Sequence, residues 1–226
     1  MKTTETPDER SRLALDLARS VAVALEEDLS RQQRVTLVVS GGSTPKPFLQ
    51  ALSAIELPWS RVDVTLADER WVAIDDDDSN DRFVRTHLLI NHAAQACFHS
   101  LVNDAAGPEE GAAEVGERIA ALSWPASVVV LGMGGDGHTA SLFPDSEQLS
   151  AGLESDETVI AAHAPSVSQP RISLTRHRLM QSRRRYLHLT GEDKKRTLAA
   201  AMAGSDVHEL PIRAFLDASL ALYWAP

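Results

Sequence analysis

Val35-Thr36-Leu37-Val38-Val39 runs directly into Ser40-Gly41-Gly42-Ser43-Thr44-Pro45. Five successive aliphatic or β-branched residues predict a strand buried on both faces, because a strand with one wet face would alternate apolar and polar side chains. The glycine pair ends that strand in a turn. Ser43 or Thr44 can then cap a helix, with Pro45 suited to its first position. A buried strand, a glycine turn and a helix start, in that order, open a unit whose next strand lies parallel to the first.

The same alternation extends outward in both directions. Upstream, Leu13, Leu17, Val21, Ala24 and Leu25 stand at helical spacing and predict an amphipathic helix over 13–29. Downstream, the pattern predicts a strand over 62–67, a helix after a Ser79 cap, a helix over 108–122 begun by Pro108, and a strand over 127–131. Strands over 158–162, 171–175 and 186–190 follow, then a helix from Glu192 and a last apolar run over 220–224. The expected fold is α/β: a three-layer, doubly wound, mostly parallel sheet with helices on both faces, Rossmann-like, in a single domain spanning 1–226.

Composition narrows the function. No window approaches the roughly 18 apolar residues of a membrane span, and residues 1–12 are polar with no apolar stretch after them, so a cytoplasmic protein without a secretory signal is expected. A formal net charge of -10 argues against nucleic acid, whose backbone calls for a basic face. A small anion remains open, because backbone N–H groups and a few nearby cations dominate at short range. Cys97 has no partner for an internal disulfide; it reads as a buried free thiol, with no metal site supported. The run Asp75 to Asp78 reads as a solvated loop, and Arg183 to Arg185 as a solvated turn before the 186–190 strand.

Four segments that follow predicted strands carry unusual chemistry, and in open parallel sheets ligands bind at such ends. Gly42, Ser43 and Thr44 would form a phosphate cradle of backbone N–H groups and hydroxyls before a helix N-terminus. Leu131-Gly132-Met133-Gly134-Gly135-Asp136-Gly137-His138-Thr139 is neither a Walker loop nor a dinucleotide fingerprint. It places His138 among glycines at the end of a buried strand, two residues after a carboxylate, which suits a general base and its orienting group. Asp68-Glu69-Arg70-Trp71 is the third segment; Arg171, with Gly191-Glu192-Asp193-Lys194, is the fourth. Cations at several strand ends beside two glycine loops favour a phosphorylated ligand.

In Ser40-Gly41-Gly42-Ser43-Thr44-Pro45, Asp68-Glu69-Arg70 with Asp78-Ser79-Asn80, the Gly132 to Pro144 stretch, Arg171-Ile172-Ser173-Leu174-Thr175 and Gly191-x-x-Lys194, the chain resembles the 6-phosphogluconolactonases. It departs from their pattern at Val72-Ala73 and at Ser168-Gln169-Pro170, where loop shape rather than chemistry would differ. The resemblance implies hydrolysis of 6-phospho-D-glucono-1,5-lactone to 6-phospho-D-gluconate, the second step of the oxidative pentose phosphate pathway. It implies no metal and no cofactor, a phosphosugar lactone as the only partner, and a monomer. His138 would activate water, Asp136 would orient it, and Gly42, Ser43, Thr44, Arg171 and Lys194 would hold the phosphate. Arg70 would face either the phosphate or the developing oxyanion. The alternative is a glucosamine-6-phosphate deaminase/isomerase, which shares the glycine loop and the histidine segment; there an aromatic residue usually stands where this chain has Arg70. A non-catalytic sugar-phosphate sensor would need a DNA-binding module for which the chain leaves no room.

Overall fold

The computed structural model describes residues 8–226, so Met1 to Pro7 of the polar N-terminal stretch lie outside the described residues. In chain order the elements are α1 (Glu9–Leu29), β1 (Val35–Val39), α2 (Lys46–Ser53), β2 (Val62–Leu66), β3 (Asp68–Arg70), α3 (Asn80–His87), β4 (Cys97–His99) and α4 (Pro108–Ala120). They continue with β5 (Ala126–Leu131), α5 (Leu149–Glu154), β6 (Val159–Ala162), β7 (Arg171–Leu174), α6 (Arg176–Met180), β8 (Ser182–Thr190), α7 (Glu192–Ala203) and β9 (Leu220–Ala225).

Six strands form one sheet in the order β4-β2-β1-β5-β8-β9, and every pairing within it is parallel. β1 is central and buried along its whole length, as its unbroken apolar run requires. From β1 the chain moves outward to β2 and β4, then returns to the other side of β1 to lay down β5, β8 and β9. The direction of winding therefore reverses between β1 and β5, the point at which open α/β sheets leave a crevice.

Helices surround this sheet. Asp8 caps α1 by accepting the Ser11 N–H at 2.7 Å, and the helix turns Ala14, Leu17, Ala18, Val21 and Leu25 inward. That stripe packs against α2, β5 and β9. Removing each of its larger side chains from water contributes about 1.5–3 kcal/mol, so the helix is held mainly by its apolar face.

The mostly parallel architecture agrees with the sequence, with one correction. The predicted strands around 158–162 and 171–175 do not join the parallel sheet. They are β6 and β7 of a separate antiparallel sheet ordered β3-β7-β6. Its third member is Asp68–Arg70, read from sequence only as a charged segment after a strand. Ala67 is the hinge between the two sheets: its N–H donates to Val39 and its carbonyl accepts from Leu174, each at 2.9 Å.

Three local expectations also change. Helix α2 starts at Lys46 with Pro45 as its N-cap, and neither Ser43 nor Thr44 caps it. Residues 183–185 belong to β8 rather than to a turn: Arg185 is buried and pairs with Asp217 at 2.5 Å, and Arg184 pairs with Glu27 at 2.5 Å and Asp28 at 3.1 Å. Ion pairing with α1 and with the approach to β9 draws these arginines into the sheet. Cys97 is exposed, at the start of the three-residue edge strand β4. The 75–78 aspartates lie on an exposed loop, as expected.

Candidate active site

A cavity of about 340 Å³ opens at the carboxyl ends of β1 and β5, at the reversal of winding. Its floor is the 40–45 loop and the 130–134 loop. Ser40 fastens the two together, donating its hydroxyl to the Val130 carbonyl at 3.0 Å and accepting the Gly132 N–H at 3.3 Å. A Cβ at Gly41 would lie 1.9 Å from Asn80 Oδ1, so a side chain there would have to displace the buried Asn80 amide. The first N–H groups of α2 lack a side-chain cap, so the helix presents free donors and the positive end of its dipole beside the loop.

His138 lines the cavity on the loop that follows β5. The loop is closed on itself: the Gly134 N–H donates to the His138 carbonyl at 2.9 Å, and Thr139 Oγ1 donates to the Gly132 carbonyl at 2.8 Å. Asp136 Oδ1 sits 2.6 Å from His138 Nδ1 and accepts the His138 backbone N–H at 3.2 Å. Burial opposes ionisation of Asp136, but the hydrogen bonds and charge of His138 outweigh it and hold the carboxyl below its ordinary value. An ionised carboxylate only accepts, so the hydrogen resides on Nδ1, and in the neutral ring the lone pair is on Nε2. The Phe143 ring, centred 4.4 Å from the imidazole, packs beside it.

The small sheet brings the acidic and basic groups to the opposite wall. Arg70 and Arg171 are cross-strand partners, and both line the cavity. Arg70 Nη1 donates to the Asp78 carbonyl at 2.6 Å and to Asn80 Oδ1 at 3.0 Å. The Nε groups of both arginines are buried without a partner. Burial, then the charge of Arg70, lowers the pKa of Arg171. Asp68 Oδ2 accepts the Ser141 hydroxyl at 2.6 Å, tying the end of the His138 loop to this sheet.

Beneath Arg70 lies Glu69, fully buried. Its carboxylate accepts the N–H groups of Arg70 at 2.7 Å, Asn80 at 2.8 Å and Asp81 at 2.6 Å. It thereby holds the start of α3 and the cavity-facing Asn80 in place. Burial pushes this carboxyl up to about 7, against those hydrogen bonds.

On the remaining wall, Lys194 in the first turn of α7 lines the cavity, and burial lowers its pKa. Thr44 Oγ1 lies 3.4 Å from Thr190 Oγ1, joining the 40–45 loop to the end of β8. Of the residues singled out from sequence, Gly42, Ser43, Thr44, Arg70, His138, Arg171 and Lys194 line this one cavity, and Asp136 stands behind His138. Sequence reading missed Asn80, Asp68, Phe143 and His188 as lining residues. The first three lie within motifs already quoted, while His188 carries no motif signal.

Away from the cavity, the donor atoms of Asp63, Cys97 and His99 lie within 4.8 Å of one another. Arg34 already occupies both Asp63 oxygens, at 2.9 and 2.6 Å, and His99 Nε2 sits 2.9 Å from Oδ1. The guanidinium makes this group an ion-pair network that a metal ion would have to break. Among the described residues, no helix is long and apolar enough to cross a membrane.

Known proteins resemble this chain in sequence and in fold. Residues 8–224 match the family model described as glucosamine-6-phosphate isomerases/6-phosphogluconolactonase. The 6-phosphogluconolactonase of Pseudomonas aeruginosa is 45% identical over 215 residues, 94% of this chain and 90% of that protein. That of Pseudomonas putida is 43% identical over 216 residues, 95% of this chain and 89% of that protein. The crystal structure of a 6-phosphogluconolactonase from Shewanella baltica superposes with a TM-score of 0.94 at 41% identity, covering 96% of this chain and 94% of that one. With likeness running nearly end to end, the chain belongs to the glucosamine-6-phosphate isomerase/6-phosphogluconolactonase family.

Proposed function

We propose that this protein hydrolyses 6-phospho-D-glucono-1,5-lactone to 6-phospho-D-gluconate in the oxidative pentose phosphate pathway, with His138 as general base. The observation that carries the reading is the Asp136 to His138 contact of 2.6 Å at the edge of a cavity also lined by a glycine loop and three cations. Similarity to named lactonases over nine-tenths of the chain supports the substrate.

A lactone is already an activated ester, so no covalent nucleophile is needed. His138 Nε2 takes a proton from water as its oxygen attacks C1, and the carbonyl electrons move onto the exocyclic oxygen. When that tetrahedral anion collapses, the C1 to ring-oxygen bond breaks and the imidazolium returns its proton to the departing alkoxide. Asp136 steadies the imidazolium between these steps. Gly42, Ser43, Thr44, Arg171 and Lys194 hold the 6-phosphate, and Arg70 supplies positive charge beside the phosphate or the oxyanion. Hydrolysis changes no oxidation state, so the route calls for no redox cofactor. The setting we propose is the cytoplasm, where phosphorylated sugars are retained by their charge.

The test follows proton release from lactone generated in situ. Wild type accelerates hydrolysis above the spontaneous rate, and His138→Ala loses about 10²-fold or more in kcat while still binding 6-phosphogluconate. If neither protein exceeds the spontaneous rate, the lactonase reading is wrong.

A further inference from the structure

His188 is a buried imidazole that the mechanism above leaves unused. It lies on β8 with 4% of its surface exposed, and it lines the cavity together with Thr44 and Lys194. Side chains two apart on a strand share a face, so His188 stands one step below Thr190, whose hydroxyl meets Thr44 at 3.4 Å. From the other side, Phe48 of α2, three residues past the glycine loop's Pro45, packs edge-on against the imidazole at 6.0 Å. The ring is thus wedged under the cradle formed by the 42–44 loop and the start of α7.

His188 Nδ1 is buried with no hydrogen-bond partner. Placing the ring hydrogen there would strand a donor away from water, which folded proteins avoid more strictly than a stranded lone pair. The preferred tautomer therefore carries its hydrogen on Nε2, the nitrogen left to reach the cavity. Burial, and then the charge of Lys194, lowers the His188 pKa to about 4, so at neutral pH the ring is an uncharged donor that adds no repulsion beside the lysine.

We propose that His188 is a substrate-binding residue whose Nε2–H donates to the phosphoryl group held by the 42–44 loop and Lys194, so that it selects phosphorylated over unphosphorylated sugar acids. The inference rests on the phosphosugar reading of this cavity. An uncharged donor in a dry corner suits a phosphoryl oxygen because hydrogen bonds to ionised acceptors are the strong ones.

The experiment measures binding of inorganic phosphate, 6-phosphogluconate and gluconate by calorimetry to wild type, His188→Leu and His188→Gln. Glutamine can place its amide N–H near the position of Nε2, whereas leucine fills the space without a donor. A hydrogen bond to a charged group is worth about 1.5–3 kcal/mol, so His188→Leu should weaken 6-phosphogluconate and phosphate about 10- to 100-fold, with His188→Gln recovering part of the loss. In turnover, KM for the lactone should rise by a larger factor than kcat falls. Binding of 6-phosphogluconate to His188→Leu as tightly as to wild type overturns the proposal. If wild type binds inorganic phosphate in a His188-dependent way but not 6-phosphogluconate, the role of His188 stands and the substrate reading falls. Should either variant fold poorly, the ¹⁵N resonance of His188 Nε2 in the wild-type protein decides: it shifts on adding phosphate if the bond forms, and an unmoved resonance refutes the proposal.

Discussion

Asp136 Oδ1 stands 2.6 Å from His138 Nδ1 and also receives the His138 backbone N–H at 3.2 Å, so one carboxylate fixes both the ring and the strand of loop that bears it. The pairing dictates which ring nitrogen can act as a base. An asparagine at 136 can turn its amide N–H toward Nδ1, which allows the tautomer with hydrogen on Nε2 and no lone pair for water. Asp136→Asn should therefore fold normally, bind 6-phosphogluconate within about threefold of wild type, and lose about 10²-fold or more in kcat. Steady-state kinetics beside product calorimetry checks this. Equal losses in binding and turnover would mean that Asp136 serves the loop rather than the imidazole.

Gly134 makes a sharper geometric claim. A Cβ there would lie 2.2 Å from His138 Cε1, 2.3 Å from Nδ1 and 2.6 Å from Asp136 Oδ1. The nearest atoms are side-chain atoms, so the fold can yield by swinging the imidazole aside. Gly134→Ala should lower Tm only a few degrees while reducing kcat at least tenfold, because a displacement of about 1 Å is costly at a reacting centre. A crystal structure of the variant should show His138 in a different rotamer.

Those two residues were legible in the sequence because their chemistry is local: a glycine-rich stretch after a buried strand can place a histidine and a carboxylate together without help from distant segments. The wall facing them was not. Asp68, Glu69 and Arg70 show no apolar alternation, and their burial comes from pairing with a strand about a hundred residues later in the chain. A reading based on alternating strands and helices therefore put β6 and β7 in the parallel sheet, when antiparallel pairing with β3 removes them from it. Cys97 misled for a related reason, since three residues at a sheet edge are too few to show which face is wet. His188 lies within the 186–190 part of β8 that the sequence marks as a strand, but histidine on an inward face has the same sequence signature whether it packs or binds.

Glu69 predicts a pH dependence of stability. Its folded-state pKa of about 7 exceeds the ordinary 4.5, with burial the leading cause. The folded state therefore binds the proton more tightly than the unfolded chain. The stabilisation from protonation is fully present below about 4.5 and is lost as pH rises through about 7, a change of about 3 kcal/mol. Urea unfolding of wild type and Glu69→Gln at pH 5 and pH 8 tests this, since glutamine does not titrate. Wild type should lose roughly 2–3 kcal/mol relative to the variant between the two conditions. A constant difference would mean that the three backbone N–H bonds keep Glu69 ionised throughout.

Arg70 and Arg171 face each other across an antiparallel pair with both Nε groups buried and unpartnered. Two guanidinium groups so placed repel one another until an anion comes between them, which is why the charge of Arg70, after burial, depresses the pKa of Arg171. The fork is thus a site in which ligand affinity is gained at the expense of the empty protein's stability. Among the described residues Arg171 makes no ion pair, so replacing it by an apolar side chain of similar length removes a desolvation cost while keeping the packing. Arg171→Met should accordingly leave the Tm of the ligand-free protein within about 3 °C of wild type, a change that corresponds to about 1–1.5 kcal/mol in a chain of this length. Saturating 6-phosphogluconate should raise the wild-type Tm by several degrees but move the variant's far less, its Kd being about 10- to 100-fold weaker. A fall in ligand-free Tm with the ligand-induced shift preserved would give Arg171 a structural role instead, held by Asp68, Glu69 and Asp78, the carboxylates whose charges favour its ionised form.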